Sequence, residues 1–321
     1  MMDQQRGVVT VSSQVENSYY GLPVIKAPHW KWLVIVYFFL GGLAGGSATI
    51  ATIADRFSKD RGLVHTARYL ALVAVLPCPA LLVLDLGRPE RAFNMFRVVK
   101  LRSPMSLGSW ALLFLGVLSS LSAGLQFLAD VTGRQVLAGT HRVIGIATLP
   151  FSIFIAGYTG VLLAATNVPL WARNYLLIGP TFVASAFSTS LATLSLLLGA
   201  GRHEREDTAR QLARAETVCL ATEAATLAVG LVHLGKLGKP LTTGRWGRVF
   251  WPVMVGGGLL APLGLQLSGP VQGKPGSRPR SIATALLVLI GGFALRALMI
   301  FAGRESANRP EDYFEYTRGR R

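Results

Sequence analysis

The sequence predicts an all-α integral membrane protein of about eight transmembrane helices, and three observations predict it. The chain of 321 residues is 51% hydrophobic and only 15% charged, with a mean hydropathy of +0.45. Soluble domains carry more charge and less apolar residue than this. Apolar stretches of about twenty residues, the length that crosses a bilayer core, recur eight times. The 32 lysines and arginines outnumber the 16 acids, for a formal charge of +16, and they cluster between the apolar stretches. Basic residues in that pattern meet lipid headgroups and partner subunits, not nucleic acid.

Taken in order, residues 1–30 are a polar extramembrane arm without the apolar core of a cleaved signal peptide. The spans fall at 31–54, 65–86, 104–129, 139–165, 170–199, 212–234, 249–267 and 281–301. The first carries Gly41, Gly42, Gly45 and Gly46. Gly42 and Gly46 form a small-xxx-small pair that lets helices approach closely, and the same bare backbone can also stand back for a flat ring. After the second span Gly87 and Pro89 force a sharp exit, leaving Arg88 and Arg91 beside Asp85. Ser103 and Pro104 make an N-cap and first-turn start for the third helix. Glycines recur in the seventh span (Gly256 to Gly258) and the eighth (Gly291, Gly292). Residues 304–321 are a second polar extension, with Pro310, Phe314 and Tyr316, suited to a partner or to anionic headgroups.

Eight crossings put both termini on one face. Eighteen lysines and arginines fall on that face and thirteen on the other, with Arg296 inside a helix. The positive-inside rule therefore leans toward cytoplasmic termini in a multi-pass protein of the cell (inner) membrane.

Charges inside the spans point to function, because a carboxylate at membrane depth is expensive unless it faces a bundle interior. Glu216 and Glu223 are seven residues apart in the sixth span, so both lie on one helix face about 10 Å apart along the axis. Glu216, about a turn inside the expected span, can either snorkel or face inward. Glu223 lies too deep to snorkel. Arg296, with apolar neighbours for several turns, calls for a carboxylate partner, and Glu223 is the candidate. Tyr158 lies in the half nearer the termini, with Asp85 and His29 near that surface. Together these residues form a depth series able to relay protons.

Cys78 and Cys219 lie in separate helices without a Cys or His at metal spacing, so no metal is expected in this chain. His29, His65, His141, His203 and His233 stand at helix ends or in a loop, whereas a haem b needs axial histidines at matched depth within helices. A haem-free protein is expected.

Gly41-Gly42-Leu43-Ala44-Gly45-Gly46, the turn Asp85-Leu86-Gly87-Arg88-Pro89, and Ser103-Pro104-Met105-Ser106 followed by Gly108 and Trp110 together resemble the NrfD/PsrC family. These are membrane subunits of polysulfide-reductase-type complexes, and NrfD-like subunits of alternative complex III belong with them. The resemblance runs from about Pro28 to Gly303. It implies two four-helix bundles, 31–165 holding an exchangeable quinone or menaquinone and 166–303 holding a proton path. It also implies an iron–sulfur ferredoxin-like partner subunit and, through it, a molybdopterin catalytic subunit. Carried over by position, His29, Asp85 and Tyr158 are candidates for the quinone, and Glu216, Glu223 and Arg296 for protons. Family members with an exported catalytic partner dock it outside, whereas the arginine count here leans the other way. The function expected is a membrane anchor passing electrons and protons between the quinone pool and that partner. A multi-pass transporter or ion channel using the same charges is the rival, and a haem-b quinol anchor the third reading.

Overall fold

The structure is a computed structural model and describes residues 24–86, 89–97, 99–133, 136–200, 206–268 and 278–318. Most of the N-terminal arm, Gly87, Arg88 and His203 lie outside the described residues, as does the side chain of Arg91.

An apolar run in lipid can satisfy its backbone groups only within itself, so it becomes a helix. Eight helices among the described residues are long and apolar enough to cross a membrane. The first span is α1 (Trp32–Phe57). The second is split into α2 (Arg61–Val75) and α3 (Pro77–Asp85), because Pro77 has no N–H to continue the ladder. Asp60 caps α2: its Oδ1 accepts from the amides of Gly62 at 2.9 Å and Leu63 at 3.4 Å. A 3₁₀ turn over Pro89–Phe96 leads to α4 (Pro104–Thr132). Ser103 Oγ accepts the Ser106 amide at 3.4 Å, the cap its spacing predicts. The helix ends on Gly133 at φ +67°, the left-handed conformation glycine adopts freely.

The fourth span is α5 (Val136–Ala164); the short α6 (Pro169–Arg173) leads into the fifth, α7 (Tyr175–Ala200). The sixth, α8 (Glu206–Leu234), is prolonged by a 3₁₀ turn and α9 (Lys239–Thr242). The seventh is composite: α10 (Gly244–Val249), a π-helix over Phe250–Leu260 and α11 (Ala261–Leu267). The eighth is α12 (Arg278–Ala307), and α13 (Pro310–Arg318) follows beyond the membrane.

Several helices overrun the expected spans. α1 continues to Phe57 and α8 begins at Glu206, because charged residues extend a helix into the headgroup layer without losing backbone hydrogen bonds. The expected polar tail is likewise mostly helix: α13 returns against α6 and α12, and Tyr316 packs on the apolar core.

α1 packs on α2, α3 and α5, and α4 packs on α2 and α5. α7 packs on α8 and α12, and α12 lies along the π-helix. One apolar cluster around Phe38, Leu115, Ile155 and Tyr158 fills the first four spans. Another, around Trp171, Phe182, Leu220 and Phe250, fills the last four. α1 is the seam. A Cβ on Gly45 would lie 2.7 Å from the Ala156 amide of α5, and one on Gly46 would lie 2.8 Å from the Ala186 carbonyl of α7. These two glycines therefore serve close helix packing, and protein fills the space a ring would need.

Candidate functional site

α7 brings a run of buried small hydroxyls, Ser185, Ser188, Thr189 and Ser190, between α8 and α12. A narrow polar helix at that place lets side chains from its two neighbours reach one another. α12 contributes Arg296, which is fully buried. Its Nε donates to the Phe38 carbonyl of α1 at 3.1 Å, and its Nη1 donates to the Gly292 carbonyl at 2.7 Å and to Ser185 Oγ at 3.2 Å. Its Cζ lies 5.5 Å from the Phe39 ring and 5.8 Å from the Phe182 ring, a favourable place for a desolvated cation. Nη2 points at Gly42 and has no hydrogen-bond partner.

α8 contributes Glu223, also buried, whose Oε2 accepts from Ser188 Oγ at 3.1 Å. Ser185 lies beside the same carboxylate. Ser185 thus stands between the two charges. No ion pair of 4.0 Å or less joins Glu223 to Arg296 among the described residues, so a serine hydroxyl stands where a direct bridge is expected.

Glu216 is buried, which removes the snorkelling alternative. Gln266 of α11, which accepts from Thr217 Oγ1, is its polar neighbour, while its Oε1 is unpartnered. α8 starts at Glu206, so Glu216 lies ten residues into the helix, with its carboxyl turned toward neighbouring helices.

At the terminal face, Asp85 ends α3 half-buried, and His29 and Lys31 are the charges beside it. His29 is exposed. Around this pair the apolar side chains of Trp32, Leu84 and Leu86 are open to the surroundings. Tyr158 is buried; its hydroxyl donates to the Pro104 carbonyl at 3.2 Å and its ring lies on Gly108 at the start of α4. The structure therefore sets His29 and Lys31 among the groups acting on Asp85, brings Glu223 and Arg296 to either side of Ser185, and ties the Tyr158 hydroxyl to the start of α4.

A second polar cluster was not among the expected site residues. Asp55, at the far end of α1, is buried and receives three guanidiniums: Arg61 at 2.8 Å, Arg68 at 3.1 Å and Arg142 at 3.4 Å. His141 Nδ1 is 4.0 Å from the same carboxylate, and Arg68 Nη1 donates to Gln126 Oε1 at 2.7 Å. The sequence does carry a signal here, since Arg68 lies inside an apolar run.

The family model for polysulphide reductase, NrfD, matches residues 24–306. The chain belongs to the NrfD family. Both polar clusters lie within the NrfD match. The C subunit of polysulfide reductase from Wolinella succinogenes is 28% identical over 305 residues, covering 86% of this chain and 94% of the relative. Protein NrfD of Escherichia coli is 26% identical over 310 residues, covering 86% and 95%. The NrfD homolog of Haemophilus influenzae is 25% identical over 310 residues, covering 86% and 94%. As an NrfD protein with eight apolar helices, the chain is a multi-pass membrane protein.

Proposed function

We propose that this NrfD protein is the membrane anchor of a quinone-linked oxidoreductase of the cell (inner) membrane. It exchanges electrons and protons between the quinone pool and an iron–sulfur partner of a molybdopterin-type enzyme. The observation that carries the reading is the Glu223–Ser185–Arg296 arrangement, a carboxylate and a guanidinium held dry inside the helices with one hydroxyl between them. A buried charge of this kind is maintained where protons or ions are handled. Similarity to a relative that is one lettered subunit of polysulfide reductase supports partnership with catalytic subunits.

The quinone supplies the two-electron, two-proton chemistry when bound. Asp85 and His29 fit its polar head, since two proton-bearing side chains lie together at the rim of an apolar surface formed by Trp32, Leu84 and Leu86. Either group can hand a proton to an oxygen within hydrogen-bond reach. Tyr158 fixes the start of α4 behind them. In the other half, Glu216 has a free carboxylate oxygen and Glu223 lies two turns further on, so the pair can pass a proton along one face of α8. Arg296 keeps its charge and orients Ser185 between itself and Glu223. Lipid surrounds the exposed apolar faces, and the terminal face, with His29 and Asp85, is where the partner docks.

The test is turnover in the intact complex. Asp85→Asn and His29→Ala should each slow quinone-linked turnover about tenfold while the partner still reduces an artificial dye. Equal loss of both activities would sink the quinone assignment and leave these residues as assembly contacts. Solute uptake by vesicles holding the protein without a redox partner would favour a transporter instead.

A further inference from the structure

The Asp55 cluster leads inward to a cavity that all four of the first spans line. Its walls are Ala48 and Thr52 of α1, Arg68 of α2, Ser119 and Ser122 of α4, and Thr148 of α5, with Gly145 opposite Thr52. Its volume is about 20 Å³, enough for roughly one water-sized particle. The groups around it are unusually rich in hydrogen-bond donors. Three guanidiniums, which carry fifteen N–H donors between them by general count, share the single carboxylate of Asp55. The cluster therefore has two positive charges in excess before His141 is counted.

A further observation points into the same space. Ser119 Oγ, on the cavity wall, is buried and has no hydrogen-bond partner. Gln126 Nε2 is buried and unpartnered as well, and its side chain is tied to the cavity-lining Arg68. His141 Nδ1, 4.0 Å from the Asp55 carboxylate, is a third buried atom without a hydrogen bond. Buried polar atoms without partners are rare, and each costs about 1–3 kcal/mol. Ser119 lies on the cavity wall itself, and Gln126 and His141 are linked to it through Arg68 and Asp55.

We propose that this cavity is a binding site for a small monatomic anion of the chloride class, held by Arg68, Ser119 and Ser122 in the far half of the first four spans, with Gln126 positioning Arg68. Size selects the class: a phosphate or carboxylate ligand needs more room than one water-sized cavity. Charge selects the sign, since the surplus guanidiniums repel a metal cation. The other carboxylates at this end have partners of their own: Asp60 caps α2 and accepts from Thr208 Oγ1 at 2.6 Å, and Asp130 faces His65 at 3.6 Å. Arg61 and Arg142, with side chains 62% and 46% exposed, connect the site to the aqueous surface. The ion bridges α2 and α4 directly and draws the ends of α1 and α5 inward through the Asp55 cluster. This site is independent of the proposed quinone and proton roles.

Thermal unfolding of the purified protein, in chloride and in gluconate at one ionic strength, tests the site. The midpoint should rise with chloride and saturate, and bromide should substitute. Ser119→Ala with Ser122→Ala removes two donors without adding bulk, and should raise the chloride concentration needed by at least tenfold. Ala71→Val, on the cavity wall, should abolish the chloride effect while leaving the gluconate midpoint near the parent's. If Ala71→Val does not fold, the serine pair decides alone. The same chloride dependence in parent and serine variant, or none in the parent, would overturn the proposal and leave the cavity to water.

Discussion

Arg296 reaches across to α1 at Gly42, where a Cβ would stand 2.6 Å from Nη2. The close approach is required because the guanidinium is otherwise occupied with the Phe38 carbonyl, the Gly292 carbonyl and Ser185. Gly42→Ala must push the fork away from at least one of them. Overpacking of this kind costs about 1–3 kcal/mol. A lowered unfolding midpoint, together with a several-fold loss of proton-coupled turnover, is the expected outcome.

Glu223 separates charge from shape. Glu223→Gln keeps the hydrogen bond to Ser188 but cannot carry a proton as a carboxyl group does. Turnover coupled to proton movement should fall at least tenfold in an assembled complex. Glu223→Ala should also destabilise, by about 3–5 kcal/mol, because Arg296 is left buried without a compensating charge. Comparing the two by turnover and by unfolding midpoint separates the roles; equal turnover in parent and Glu223→Gln would remove Glu223 from the proton path.

Tyr158 binds the Pro104 carbonyl, one of the groups at the start of α4. Tyr158→Phe should cost about 1 kcal/mol, the net worth of a typical hydrogen bond. Gly108→Ala, which drives a methyl into the Tyr158 ring, should cost more. Hydrogen exchange at the α4 amides, faster in Gly108→Ala than in Tyr158→Phe, checks the order.

Outside the membrane, burial raises the Asp312 carboxyl above its ordinary range, partly offset by Arg309, whose Nε lies 4.0 Å from Oδ1. For an acid with a raised folded value, the neutral form favours the folded state. Docking of α13 is therefore strongest below the unfolded value near 3.8 and weakens as pH rises through the folded one. Asp312→Asn should slow amide exchange over Pro310–Arg318 at pH 7 and flatten its pH dependence; faster exchange in the variant would show that Arg309 outweighs burial.

The crossings are legible in the sequence because a twenty-residue apolar run has almost no other fate. Glu223 and Arg296 are legible for the related reason that a charge in such a run must have a purpose or a partner. Ser185 is not. Serine is common in membrane helices, and only the placement of α7 between α8 and α12 makes this one a bridge. Asp55 is hidden differently: it lies one residue beyond the expected first span, where a charge reads as a headgroup contact. Its three arginines come from α2 and α5, and only the fold brings those helix ends together. Glu216 is interior because of the helices packed against α8, which its position in the sequence does not reveal.

Alternating-access carriers work by rocking one half of the molecule against the other. α1 is wedged at main-chain distance between Ala156 on one side and Ala186 on the other, with no side chain at Gly45 or Gly46 to act as a bearing. Swinging the halves would have to prise apart contacts that touch along bare backbone. The scaffold is thus suited to hold its two halves in one fixed relation, a frame and not a machine with a stroke.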